Sequence, residues 1–492
     1  MTSYSMTSTI LLSHLQTANT RTPSIPLPTL QSVLSHHLST APSSSTSPTT
    51  LTVTQLSATA ISSPFFLPKS QPFEYAKLQA FETAFRHAVH ILRQQRSKEG
   101  SANRVNISRW TGDVIKGIQG GHPILRLAAC GGILLGVEDS NNNADVNAVA
   151  TIRLSRRLVE SETVVALAEV LDSTTVHTEW EDEFQHQGRT QHPSQRPART
   201  TLLLAFILAS HSLPLIDSQR LTALPLHTLT QLLTSTLVSF FDPPDPNPDS
   251  EQNANAITDI SHIPSLAKLT SVILSALLDS THISTYTRTL STISNTFNTI
   301  LNLSRLIEQS NPTIDTTNQI PKQFLFTAVI IFQSVLSSIV YLRPHIVAHS
   351  NTSITPPSLA LKSLQTLTHL SLVISQFGGI TKAFEQLQKV FYLSIDIILA
   401  PSQNQNGKGK QNENQTADVE AYVRRLSHFL QSQSPETGQL FPHFYLPTLR
   451  LSSATTLPSR AKQSFALSTF EQLIPILSPL CIINHVWVVC YP

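Results

Sequence analysis

Apolar residues recur along this chain at three- and four-residue steps, in runs separated by polar, proline-marked stretches. That spacing lays one apolar stripe along a helix. The strongest set lies between Phe324 and Ala400. It opens with an uncharged run, Phe324 to Leu342, held between Lys322 and Arg343. After a turn-rich break, Leu364, Leu367, Ser371 and Ile374 form one stripe. Phe384, Leu387, Phe391, Ile395 and Ile398 form the next. Helices in succession with short connections are expected to bury their stripes as packed antiparallel neighbours.

Earlier runs follow the same rule. From Phe73 to Arg96, Leu78, Phe81, Phe85, Ala88 and Leu92 share a face, with Pro72 just ahead. Arg86, Arg93, Arg96 and Lys98 fall toward the C-terminal end, where cations complement the helix dipole. Gly120, Gly121 and Pro123 then break the chain. Ile124 to Val137 follows, apolar and rich in small residues (Ala128, Ala129, Gly131, Gly132, Gly136). Small residues let a second helix approach closely, so this run reads as core. Arg153 to Leu171 carries Leu154, Leu158, Val165 and Ala168 as its expected buried stripe. Thr201 to Leu215 and Leu221 to Phe241 read as two further helices, with His211 as a satisfied core histidine. Between 263 and 309, Leu266, Leu269, Ile273 and Leu277 mark one helix; Leu290, Ile293, Phe297, Ile300 and Ile307 mark another.

The expected fold is all-α: an irregular α-solenoid, an array of antiparallel helix pairs with disordered linkers. Residues 1–64 read as a low-complexity N-terminal segment, with one marginal helix around Leu30, Val33, Leu34 and Leu38. The array is expected over 65–400, with polar linkers at about 172–200 and 242–260. Residues 401–418 read as a disordered linker, and 419–492 as a short helix near Tyr422 to Leu430 followed by an uncharged tail.

Composition narrows the function classes. Of 492 residues only 14 are glycine, too few for the phosphate turns of a nucleotide-binding α/β fold, whereas 31 are proline. A net charge of +2 supplies no field that would draw nucleic acid. The three cysteines, Cys130, Cys481 and Cys490, form neither a CxxC pair nor a zinc spacing. No GxSxG, HExxH, GxGxxG or kinase signature occurs. His177, Glu179, Glu181, Asp182, Glu183, His186 and His192 crowd one stretch. Metal ligands need a rigid frame, and no apolar periodicity supplies one there, so the stretch reads as a solvated loop. No catalytic, cofactor-binding or metal residue is therefore assigned, and no cofactor is expected.

Phe324 to Leu342 is long enough to span a bilayer. Gln333 and the serines 334, 337 and 338 count against lipid, and the helices that follow offer a protein partner. A buried core helix is the favoured reading. An integral membrane protein anchored by 324–342, of unknown role, is the alternative.

Three blocks resemble the fungal peroxin-8 family. ILRLAACGGILLGVE at Ile124 to Glu138, followed by LSRRLVES at Leu154, is the first. LLLAFILASHSLPLI at Leu202 to Ile216 is the second. The third joins FTAVIIFQSVLSSIV at Phe326 to Val340, LALKSLQTLTHLSLVISQFGG at Leu359 to Gly379 and VFYLSIDIIL at Val390 to Leu399. The resemblance implies a non-enzymatic, α-helical organiser of peroxisomal matrix-protein import. It implies a peripheral protein on the matrix side of the peroxisomal membrane. Such a protein bridges the docking complex and the RING-finger complex and binds the receptor for C-terminal targeting signals. The family commonly ends in a Ser-Lys-Leu-type tripeptide, whereas this chain ends Cys490-Tyr491-Pro492. The tail after about Leu473 is expected to reflect a truncated or misread gene model.

Overall fold

The computed structural model describes residues 10–16, 26–42, 51–67, 73–98, 107–138, 156–173, 195–241, 260–280, 285–310, 320–346 and 356–370, with 373, 387, 389–391, 393–394 and 397 beyond them. No strand occurs among the described residues, and the expected all-α class is met. The chain divides into two compact units, Met1–Pro225 and Leu226–Pro492.

The first unit holds α1 (10–16), α2 (Leu27–Thr40), α3 (Val53–Ile61), α4 (Tyr75–Lys98), α5 (Ile107–Ile118), α6 (Pro123–Glu138), α7 (156–173), α8 (Gln195–Ser212) and the single turn α9 (Ser218–Leu221). α2 packs on α4, α4 on α6 and α6 on α8, while α3 packs on α5. These helices lie mainly on the next but one along the chain. Stacking of this kind buries each stripe between two neighbours.

Three of the helices fall in 1–64, the stretch expected to be low-complexity. Leu30, Leu34, Leu38, Val53, Leu56 and Ile61 are buried there. Serine and threonine do not prevent helix here, because their hydroxyls bond their own backbone. Ser35 donates to Ser32 O at 2.9 Å, and Ser39 to His36 O at 2.8 Å. α3 opens on a reciprocal cap. The Gln55 N–H donates to Thr52 Oγ1 at 3.3 Å, and the Thr52 N–H donates to Gln55 Oε1 at 3.0 Å. Trp110 in α5 is fully buried and donates from Nε1 to Leu38 O at 2.9 Å, tying α5 to α2.

The α4–α6 contact has its origin in small residues, as expected. A Cβ on Gly132 would lie 2.1 Å from Glu82 O, and one on Gly136 would lie 2.9 Å from Arg86 O. Only glycine at these two positions lets the α4 backbone approach so closely. Arg93 of α4 donates to Val137 O at 3.2 Å, so this cation serves the C-terminus of α6 as well as its own helix end.

The second unit holds α10 (Leu226–Ser239), α11 (Ile263–Asp279), α12 (Tyr286–Ser310), α13 (Ile320–Ile346), α14 (Pro356–His369) and α15, seen at the helical positions between 387 and 397. α11 packs on α13 and α12 on α14, with α10 against both α11 and α12. The expected single helix Leu221 to Phe241 is interrupted between α9 and α10 at Pro225, which lacks the N–H a continuing helix needs. α8 begins at Gln195, inside the linker expected at 172–200. The linker at 242–260 is described only at Ile260, and 401–418, 419–492 and the Tyr422 to Leu430 helix lie outside the described residues.

Candidate functional site

Polar chemistry in the first unit gathers where α4, α6, α7, α8 and α9 meet. Arg126 is the one charge inside the apolar run of α6, and it is 6% exposed. Its Nε donates to Glu162 Oε1 of α7 at 2.7 Å, and its Nη1 pairs with Glu169. Burial works against the guanidinium charge, but the hydrogen bond and charge of Glu162, with Glu169 behind it, outweigh this and hold Arg126 above its ordinary range. Arg156 donates to Glu160 at 2.9 Å and to Glu138 at 3.2 Å, and also bonds Leu215 O. Arg220 of α9 reaches Glu160 at 3.1 Å, Arg157 O at 2.7 Å and Ser161 Oγ at 2.8 Å. His211 Nδ1 lies 3.0 Å from the buried Glu82 carboxylate, so the histidine is satisfied as expected, but it is half-buried at the edge of the core, its side chain 28% exposed.

Glu160 and Glu162 are each committed to an arginine that also bonds backbone or a second acid, and Glu82 is held by His211 Nδ1. The arrangement clamps helices together, and it presents no carboxylate poised to take a proton from a substrate. Cys130 is fully buried beside Glu162; burial, then that charge, pushes its thiol far up, so it stays protonated and unreactive at neutral pH.

α7 corrects the sequence expectation. Leu158 and Val165, expected in the core, are 44% and 45% exposed. The buried face instead carries Val159, Glu160, Glu162, Thr163, Ala166 and Val170. Both sets fit helical spacing. The arginines decide between them, because burying Arg126 requires Glu162 to come inward with it, and Arg156 and Arg220 draw in Glu160. The lone arginine in an apolar run was the signal that could have found this face. Leu154 lies outside the described residues.

The second unit ties its helices through several hydroxyl contacts, and Glu308 of α12 also meets His369 of α14. Ser334 of α13 lies 2.6 Å from Ser275 Oγ and donates to Ser271 O of α11 at 3.3 Å. Ser363 and Ser394 join α14 to α15 at 2.8 Å. Lys362 donates to Ser294 Oγ at 2.6 Å, and burial lowers its pKa. Phe332 of α13 meets Phe297 of α12 with ring centroids 4.7 Å apart, and Phe324 meets Phe241 at 4.9 Å. α13 therefore has protein partners along one side, including a partner for Ser334. Its window Pro321–Val340 is 56% buried and is also long and apolar enough to cross a membrane.

Among the described residues no group of three or more His, Cys, Asp or Glu could hold a metal ion. The His177 to His192 stretch lies outside them.

Comparison with known families matches each unit separately. A family described as the N-terminal domain of peroxin 8 protein-like chains matches residues 7–187, within the first unit. A family described as the PEX8 helical domain matches residues 247–380, within the second. No curated protein and no solved structure gives a match. The peroxin-8 name carries a role in peroxisome biogenesis and protein import, an association with the peroxisome, and interaction with its import machinery. Matched in both of its units, this chain belongs to the peroxin-8 family.

Proposed function

We infer that the chain is a non-enzymatic scaffold of peroxisomal matrix-protein import. It acts as a peripheral protein on the matrix side of the peroxisomal membrane. It bridges the docking complex and the RING-finger complex and contacts the receptor for C-terminal targeting signals. The observation that carries this reading is the division into two all-α units, each matched by its own peroxin-8 family. Two compact units give a bridge two handles. Helix pairs continued as an irregular solenoid would offer partner segments the grooves between adjacent helices. The pairing of Glu160 and Glu162 with arginines of neighbouring elements supports a structural use of these charges.

Affinity capture from import-competent cells tests the bridge. The full chain is expected to recover docking and RING-finger components together. A protease site inserted after Pro225, once cut, is expected to leave neither half holding both. Recovery of both complexes by one half would remove the bridging role.

The alternative of an integral membrane protein rests on one observation, the length and apolar character of Pro321–Val340. Alkaline carbonate separates the readings: the scaffold leaves the membrane fraction, and a protein anchored through 324–342 stays in it.

A further inference from the structure

α1 spans only 10–16, too short a helix to persist in water by its own hydrogen bonds. Its place therefore depends on what it packs against. Leu11 and Leu15 are fully buried, and His14 is 8% exposed. The helix lies against the 62–67 stretch that follows α3. Ser63 Oγ donates to Leu15 O at 2.6 Å and accepts the Phe65 N–H at 3.3 Å. The His14 ring meets the Phe65 ring with centroids 5.1 Å apart. From Phe65 the ring contacts continue through Phe66 to Phe81 and Phe85 of α4.

His14 is the odd member of this seat. Its Nε2 is buried without a hydrogen-bond partner among the described residues. A neutral ring bears that cost in either tautomer. An imidazolium would place a charge and an N–H donor there, with nothing to accept the donor. Burial alone lowers the pKa of His14 from the ordinary 6.5. The rest of α1 carries no titratable side chain, and neither does 62–67. On α4, Lys77 stands 4.8 Å from the Phe65 ring centroid and is paired with Glu74 at 2.8 Å. A cation on that side gives an imidazolium no support.

We propose that α1 is an acid-released strap, seated on Phe65 while His14 is neutral and freed when His14 takes up a proton, which opens an apolar seat beside Phe65. The sign follows from burial. The seated value lies below the free one, so seating is complete above about pH 6.5 and weakens as pH falls toward the seated value. Over that span each pH unit shifts the balance toward release by up to about tenfold. Only α1 moves, since a terminal element opens at lower cost than its whole unit.

Hydrogen exchange of the full chain tests this, expressed as protection factors so that the pH dependence of exchange itself is removed. Between pH 7.5 and 5.5 the amides of 14–16 are expected to lose up to about tenfold more protection than those of 81–85 in α4. His14→Phe keeps a ring against Phe65, and His14→Leu keeps an apolar side chain; neither titrates. In whichever of the two seats α1 at pH 7.5, the excess loss is expected to vanish. Amides of 14–16 already unprotected at pH 7.5 in the native chain, protection lost only in step with 81–85, or an excess loss that persists in the variants would each overturn the proposal.

Discussion

Arg126 shows how much of the first unit hangs on single side chains. With Arg126 removed, Glu162 would be left as a buried charge without its cation. Arg126→Met is therefore expected to destabilise the unit by about 3–5 kcal/mol, the usual cost of breaking a buried pair. Adding Glu162→Leu removes the stranded charge and should recover most of the loss. Urea denaturation of the full chain, followed by helical signal, checks both. His122 supplies a pH dependence. It precedes α6, and its Nδ1 accepts the Ile124 N–H at 3.3 Å, which requires the neutral ring. Burial lowers its pKa from the ordinary 6.5. Because the folded value lies below the unfolded one, the contribution of His122 is complete above about pH 6.5 and is lost as pH falls through the folded value. Thermal melts are expected to show stability falling on acidification through that window, with a shallower fall for His122→Asn, which keeps an acceptor and does not titrate. Neither residue's partner was legible in the sequence. Arg126 was visible as a charge out of place, but its acid lies 36 residues away on another helix.

At the scale of elements, the α4–α6 seam was readable, and the face of α7 was not. Small residues in Ile124 to Val137 announced a close neighbour, and α4 is that neighbour. Gly132→Ala is expected to destabilise by about 1–3 kcal/mol, as overpacking does, since its Cβ would collide with the Glu82 backbone. Gly112 in α5 is the control: nothing lies within 4 Å of a Cβ there, so Gly112→Ala should stabilise by about 0.5–1 kcal/mol through helix propensity alone. Denaturant midpoints of the two variants should move in opposite directions. α7 defeated the periodicity rule because two stripes satisfy it equally, and distant arginines choose between them. In α13, composition left core and membrane readings open. Ser334 finds its bonds on α11, and the rings of Phe324 and Phe332 find partners on the same unit, which is the physical content of the core reading.

For the whole molecule, helical periodicity conveyed the class, because amphipathic stripes need only local spacing to be seen. The division at Pro225 was hidden, since a unit boundary is a property of which helices touch, and no composition change marks it. The helix at 27–40 was announced by Leu30, Leu34 and Leu38, whereas 53–61 was hidden, because its serine and threonine content masks the buried Leu56 and Ile61. If the two units are the two handles of a bridge, they act only while joined. The direct test is import of a matrix reporter in cells lacking their own peroxin-8 protein, supplied with the full chain or with residues 1–225 and 226–492 as separate polypeptides. Import is expected with the joined chain and none with the two pieces, each shown to be folded and present in peroxisomes. Import restored by the separate pieces, or by either one alone, would contradict it.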